Sequence, residues 1–159
     1  MSTHRYAFEV GPQAPCFEFV TYAAPDAIGD ALPVRPGQVL CDDAARPTLL
    51  HFAPRRWLVP APDATLVARL TGLAAGGLGA LVDVEGKWRK VLVDGSGAAR
   101  AIASTINVEG VLRNRGCAAV SLFDAPAILA RVEAAFDLWV AASYLDHFVD
   151  VTRTLRLPT

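Results

Sequence analysis

Short hydrophobic runs alternate along this chain with segments that have helical spacing. The runs are brief, contain β-branched or aromatic residues and in most cases are bounded by Pro, Gly or charged residues, which is typical of β-strands. The segment 128–133 also fits helical spacing, and we assign it to a strand that forms a hairpin with 136–141. The predicted strands are 16–22, 48–52, 57–59, 80–84, 88–93, 118–123, 128–133 and 136–141.

Four helices are predicted between these strands. One opens at Pro25-Asp26, and a second follows Asp63, after which leucines and valines recur with a period of 3.6 residues. Ser96 and Ser143 are candidate N-caps for the third and fourth helices. The connections 33–47 and 107–116 are predicted to be loops, and residues 1–15 to form an N-terminal arm or a loose edge strand.

The order of these elements suggests an internal repeat. The segment that starts at Trp57 (WLVPAPDA) and leads into one helix resembles the segment that starts at Leu138 (LWVAASYL) and leads into another. We therefore predict an α+β fold of two pseudo-repeated split β-α-β halves with mainly antiparallel sheets. The single domain covers residues 16–157, with halves at about 16–85 and 86–157.

Composition excludes several classes of protein. Of the 159 residues, 53% are hydrophobic and 19% are charged, the reverse of the disorder signature. The net charge of −1 gives no electrostatic footprint for nucleic acid or an anionic membrane. The longest uncharged run, 70–82, is too short to span a bilayer, and the first residues lack a signal-peptide core. We expect a cytoplasmic bacterial protein that binds neither nucleic acid nor membranes.

A search for chemistry yields no catalytic, cofactor-binding or metal site. The three cysteines are widely spaced, and the three histidines lack partners at ligand spacing apart from Asp146 and Asp150 near His147, which is expected to face solvent. The turn at Gly95-Ser96-Gly97 lacks the third glycine of a dinucleotide fingerprint. Asp83 and Glu85 could bind a ligand amine or a partner's arginine, but acids flanking the turn at Gly86 are the favoured interpretation.

Four arginines and one tryptophan are the remaining candidates for a functional role. Two arginine pairs occupy a predicted hairpin turn and a predicted loop, where solvated charge is the simplest interpretation and docking to a partner's carboxylates is the alternative. Trp88 lies between charged neighbours, so we expect it to be the most exposed of the three tryptophans. The candidate interface residues are Arg55, Arg56, Trp88, Arg113 and Arg115.

The order of several short motifs resembles a known family. They are RWLV at 56–59, LVDV at 81–84, VLVDGSGA at 91–98, GCAA at 116–119 and FDLWVAAS at 136–143. Together they resemble the gamma subunit of heterotetrameric sarcosine oxidase. That subunit is similar to the folate-binding domain of the glycine-cleavage aminomethyltransferase. The resemblance runs from about residue 16 to 157.

The resemblance implies an accessory, non-catalytic subunit without a cofactor of its own. Its partners would be the alpha, beta and delta subunits, which in such complexes hold FAD, FMN, NAD, folate and zinc. The glycine pair and acid of the aminomethyltransferase central hairpin are replaced here by a stretch around Asp124 without that pair. A subunit of a related N-methyl amino acid dehydrogenase, a stand-alone folate-binding or aminomethyl-transfer module, and a self-associating scaffold remain alternatives. A folate module would need Asp124 or Asp83 in a pocket between the halves.

Overall fold

The computed structural model describes residues 7–155, apart from 23, 25–27, 29–31, 33, 34, 36, 96 and 134. Its strands are β1 (Ala7–Val10), β2 (Cys16–Thr21), β3 (Val39–Cys41), β4 (Pro47–Ala53), β5 (Arg56–Pro60), β6 (Gly79–Asp83), β7 (Trp88–Asp94), β8 (Cys117–Leu122), β9 (Ala125–Val132) and β10 (Ala135–Ala141). Its helices are α1 (Ala64–Ala75), α2 (Ala98–Ala103), α3 (Val108–Val111) and α4 (Leu145–Thr154).

The strands form two five-stranded sheets with the same internal order. The first sheet runs β3-β4-β5-β2-β6 and the second runs β8-β9-β10-β7-β1, and all pairings are antiparallel. Each strand of one sheet has a counterpart in the other, because α1 follows β5 just as α4 follows β10. The prediction of an α+β fold with two repeated, mainly antiparallel halves is confirmed.

The repeat is completed from opposite ends of the chain. In the first sheet the edge strand next to β2 is β6, which follows α1. In the second sheet the equivalent position next to β7 is taken by β1, with Phe8 opposite Val93. The segment predicted as an arm or loose edge strand therefore contributes an edge strand to the second sheet.

Three hydrophobic clusters arrange the sheets and helices in four layers. Phe19, Trp57 and Leu70 belong to the cluster between the first sheet and α1. The inner faces of the two sheets meet through a second cluster that includes Leu58 and Trp139. A third cluster, on the far side of the second sheet, includes residues of α2, α3 and α4. Alternation along the central strands thus gives one face to a helix and the other to the opposite sheet.

The helix α1 shows why the local sequence determines this architecture. The Asp63 side chain accepts a hydrogen bond from the Leu66 main-chain N–H at 2.7 Å and caps the helix start. Leu66 and Leu70 are the buried residues of the helix, as their four-residue spacing predicts. The helix ends at Ala75 with Gly76 as its C-cap, and Gly77 has the positive φ of 76° that favours glycine.

Several predictions from the sequence are wrong in detail. The connection 33–47 contains the strand β3, and the loop 107–116 contains the short helix α3, whose first turn is capped by Asn107. Ser143 does not cap α4, because residues 142–144 form a 3-10 turn and α4 begins at Leu145. The predicted cap Ser96 and most of the predicted helix at 25–32 lie outside the described residues, although Ile28 and Leu32 are described and buried.

Candidate functional site

A buried carboxylate occupies the contact between the two sheets. Glu18 lies on β2 and is 3% exposed. Its Oε1 accepts hydrogen bonds at 2.7 Å from the Lys87 ammonium and from Trp88 Nε1, and its Oε2 pairs with the Arg56 guanidinium. Three donors that lie 38, 69 and 70 residues away along the chain thus converge on one side chain. We call these four residues the Glu18 cluster.

The electrostatics of the Glu18 cluster follow from this geometry. Burial by itself would raise the pKa of Glu18, but the hydrogen bonds from Lys87, Trp88 and Arg56 outweigh it and hold the pKa below its ordinary value. The carboxylate is therefore ionised at neutral pH and fully engaged. Such a group is a poor proton acceptor, so the arrangement suits a structural anchor rather than general base catalysis.

Aromatic rings extend the Glu18 cluster in both directions. The Arg56 guanidinium carbon lies 5.3 Å from the centre of the Phe52 ring, and the Lys87 ammonium lies 5.4 Å from that of Trp88. Phe52 and Trp88 meet edge to face with their centroids 6.5 Å apart. Because Phe52 belongs to the first sheet and Trp88 to the second, this stack joins the sheets through side chains alone.

The structure divides the five predicted interface residues into two groups. Arg56 and Trp88 belong to the Glu18 cluster, and Arg55 is next to it in the β4–β5 turn, exposed and with a positive φ of 59°. Arg113 and Arg115 are exposed in the connection between α3 and β8. Arg115 covers Gly37, where an added Cβ would lie 2.6 Å from the Arg115 Cβ. Trp88 is half-buried whereas Trp57 and Trp139 are buried, as predicted.

Glu18 is not among the candidate residues that the sequence indicates. Its neighbours Phe17, Phe19 and Val20 are apolar, and strand alternation places Glu18 on the same face as the buried Cys16. A charged residue at a position where the pattern predicts core is the signal that could have identified it, because buried carboxylates are rare without partners. The identity of those partners could not be inferred, since they come from other strands.

A cavity of about 390 Å³ opens between the sheets beside the Glu18 cluster. Trp88 and Trp139 form part of its wall, together with prolines from both sides of the cleft. Its acidic lining residue is Asp42, whose carboxylate is held by Arg46. Neither Asp83 nor Asp124 lines the cavity, so the acid that a folate module would need is not placed there.

Asp83 and Glu85 follow the interpretation that the sequence favoured. The Asp83 Oδ1 accepts a hydrogen bond from the Glu85 main-chain N–H at 3.0 Å, which is a local turn interaction. The Glu85 carboxylate in turn accepts one from the Gln13 amide at 3.0 Å. Both acids thus stabilise the β6–β7 turn and the segment that precedes β2.

The thiols offer no activated nucleophile. Desolvation by burial raises the pKa of Cys16 and of Cys117 to about 12 in each case. Burial and the nearby Asp42 raise the pKa of the exposed Cys41 as well. All three cysteines are therefore thiols at neutral pH, and a thiol is neither a strong nucleophile nor a good metal ligand.

Two negative observations concern the described part of the chain. No three or more His, Cys, Asp or Glu side chains are grouped there so that they could hold a metal ion. No helix in residues 7–155, with the gaps given above, is long and apolar enough to cross a membrane.

Known proteins that are similar to this chain are found among solved structures. No protein-family profile and no curated protein sequence matches the chain. Among solved structures, it is similar to a chain of the heterotetrameric sarcosine oxidase from Corynebacterium sp. U-96 in complex with pyrrole 2-carboxylate. The TM-score is 0.73 at 18% sequence identity, and the match covers 97% of this chain and 87% of that chain. The fold implied by the sequence resemblance is thereby confirmed.

Proposed function

We propose that this chain is an accessory, gamma-type subunit of a heterotetrameric flavoprotein sarcosine oxidase. The complex would oxidatively demethylate sarcosine to glycine, and the chemistry would take place in its partner subunits. The observation that carries this proposal is the fold match, because it spans almost the whole of both chains and the matched chain is part of a heterotetramer. A fold by itself does not define an activity, so the proposal depends on a direct test of assembly.

The described side chains are consistent with a non-catalytic role. The Glu18 carboxylate is saturated by three donors, and the cysteine thiols are protonated. The exposed arginines and the half-buried Trp88 are residue types that are enriched at protein interfaces. In this proposal the alpha, beta and delta subunits hold FAD, FMN, NAD, folate and zinc, and the complex is cytoplasmic.

The test is co-expression with the large flavoprotein subunits of the oxidase encoded in the same genome. We expect the untagged chain to co-purify in a stable ratio with a tagged flavoprotein subunit. The purified complex is expected to consume oxygen with sarcosine, and N-methylglutamate serves as the comparison substrate. The subunit assignment is wrong if the flavoproteins assemble and turn over sarcosine without this chain while the chain alone remains soluble and monodisperse.

A further inference from the structure

The inner face of the first sheet extends beyond the region that the second sheet covers. At this end Val20 and Ala80 are paired neighbours and Val82 is opposite Glu18. Val82 is 46% exposed, and Tyr22, one residue beyond β2, is 65% exposed. The ladder includes Tyr22, because its N–H bonds to the Leu78 carbonyl at 3.0 Å. We call this row of Tyr22, Val20, Ala80 and Val82 the β2–β6 strip.

The strip ends at an unpaired strand edge. The bonds from Val84 N–H to Cys16 and from Tyr22 N–H to Leu78 show that even-numbered residues of β6 bond to β2. In an antiparallel ladder the odd-numbered residues then direct their main-chain groups outward. Gly79, Leu81 and Asp83 therefore present N–H and C=O groups at an edge that pairs with no strand of the described chain. β6 contains neither proline nor lysine, the residues that commonly protect an edge.

Two accessible cations lie beside the strip. Arg56 is opposite Val20 in the ladder, and Arg56 and Lys87 share the single carboxylate of Glu18, which leaves one positive charge in excess. Both cations remain accessible, with side chains 41% and 47% exposed. Arg55 adds another exposed guanidinium. The nearby Asp83 is opposite Phe17, so alternation places it on the α1 face of the sheet rather than on the strip.

We propose that the β2–β6 strip binds an extended, acidic segment of a partner subunit, which adds a strand to the β6 edge. Main-chain groups of the edge would supply the hydrogen bonds, Tyr22 and Val82 the apolar contact, and Arg56 and Lys87 the charge selectivity. A second copy of this chain fits less well as the acidic strand, because its own β6 carries a single acid, Asp83. This inference rests on the proposed subunit function and names the surface that performs it.

Two substitutions at one position give a sharp test in the assembled complex. Val82→Glu and Val82→Lys place charges of opposite sign at the same exposed site opposite Glu18, so the urea unfolding midpoint of each variant is measured alongside its binding. We expect Val82→Glu to weaken binding to the flavoprotein subunits by at least about tenfold, since like charges repel, and Val82→Lys to leave it within about threefold. Leu40→Glu is the matched control, because Leu40 is 44% exposed on the opposite edge strand of the same sheet.

Each result of this test has a defined consequence. If both Val82 variants weaken binding equally, or if Val82→Glu does not weaken it, the bound segment is not an acidic strand. If Leu40→Glu weakens binding as much as Val82→Glu does, the β2–β6 strip is not the binding surface. A concentration-dependent dimer of the isolated chain that both Val82 variants abolish identifies a second copy as the occupant and also overturns the proposal.

A probe on the isolated chain separates this inference from the proposed function. If no flavoprotein subunit binds, the full chain is titrated with a blocked octapeptide of alternating Thr and Glu, and with a Thr-Lys peptide as the control. We expect the Thr-Glu peptide alone to shift the backbone amide resonances of Gly79, Leu81 and Asp83. Equal shifts with both peptides, or none at millimolar concentration, would show that the edge does not select an acidic strand.

Discussion

Glu18 and Asp42 are two engaged carboxylates along the cleft between the sheets, and they are built in opposite ways. Glu18 is buried and accepts from side chains on β5, in the β6–β7 turn and at the start of β7. Asp42 lies in the β3–β4 turn and accepts from the Ala44 and Arg46 N–H groups at 2.9 Å and from Arg46 Nε at 2.8 Å. The first carboxylate joins distant parts of the chain, whereas the second closes a five-residue turn.

Both carboxylates have a lowered pKa, yet the energetic meaning differs. For Asp42 the largest cause is the hydrogen bond from the Arg46 main chain, and the Arg46 side chain adds to it. Water can replace those donors when the turn opens, because the Arg46 side chain is 75% exposed. For Glu18 the competing desolvation is large, so loss of a partner leaves buried groups unsatisfied. The pKa is thus lowered at both sites, but the engaged carboxylate of Glu18 contributes much to the free energy of unfolding, whereas that of Asp42 contributes little.

The largest expected effect comes from removal of the buried carboxylate. We expect Glu18→Ala to lower the free energy of unfolding by about 3 kcal/mol, because it removes charge-assisted hydrogen bonds and leaves the Trp88 N–H without its acceptor. The measurement is urea unfolding followed by tryptophan fluorescence. Asp42→Ala is the control and is expected to lower the midpoint much less, because water can replace the donors of this exposed turn. A Glu18→Ala midpoint no lower than that control would show that the Glu18 cluster is not an anchor.

The repeat shows how much of the fold the sequence could reveal. The short echo between the segments at Trp57 and Leu138 aligns Trp57 with Leu138 and Leu58 with Trp139. In the structure Trp57 and Leu138 both face helices, while Leu58 and Trp139 both belong to the inter-sheet cluster. Eight residues of sequence therefore predict which side chains of each strand face a helix and which face the opposite sheet. The role of β1 in completing the second sheet could not be predicted, because a strand's partner is not encoded in its own pattern.

The candidate site was less predictable for a related reason. The sequence indicates Trp88 and Arg56 as interface candidates through their residue types and their neighbours along the chain, which is local information. Their shared contact with Glu18 depends on strand order, and no spacing rule indicates it. The short helix α3 was missed because four residues that include Gly110 carry no helical period, and the Asn107 cap is its main signal.

A narrower substitution separates the indole hydrogen bond from the rest of the Glu18 cluster. Trp88→Phe keeps a ring against Phe52 and removes the donor to Glu18, so we expect a loss of about 1.5 kcal/mol in unfolding free energy. Trp88→Phe is also made in the Glu18→Ala background, where the indole N–H has no carboxylate acceptor. If it costs as much there as in the wild type, ring size and not the hydrogen bond accounts for the effect.

The comparison also predicts a dependence on pH. In the folded chain the pKa of Glu18 lies below its ordinary value of 4.5, so the unfolded chain binds the proton more readily. The free energy of unfolding therefore falls as the pH falls from the ordinary pKa toward the folded pKa. The contribution is fully present above the ordinary pKa. We expect the difference between the wild type and Glu18→Gln, measured by urea unfolding, to shrink from about pH 5 toward pH 2. A difference that is constant over this range would assign the pH dependence to other carboxylates.

The smallest expected effect concerns the Asp42 turn. Arg46→Gln removes the ion pair, but Asp42 keeps the N–H groups of Ala44 and residue 46, so the turn retains its hydrogen bonds. We expect its thermal midpoint to match the wild type in high salt and to differ only slightly in low salt, because exposed pairs are screened. Asp42→Asn, which preserves the Oδ1 acceptor, is expected to behave in the same way. A salt-independent loss of thermal midpoint in either variant would mean that the turn supports the adjoining cavity wall. The Asp42 and Glu18 carboxylates would then differ only in how much stability each contributes.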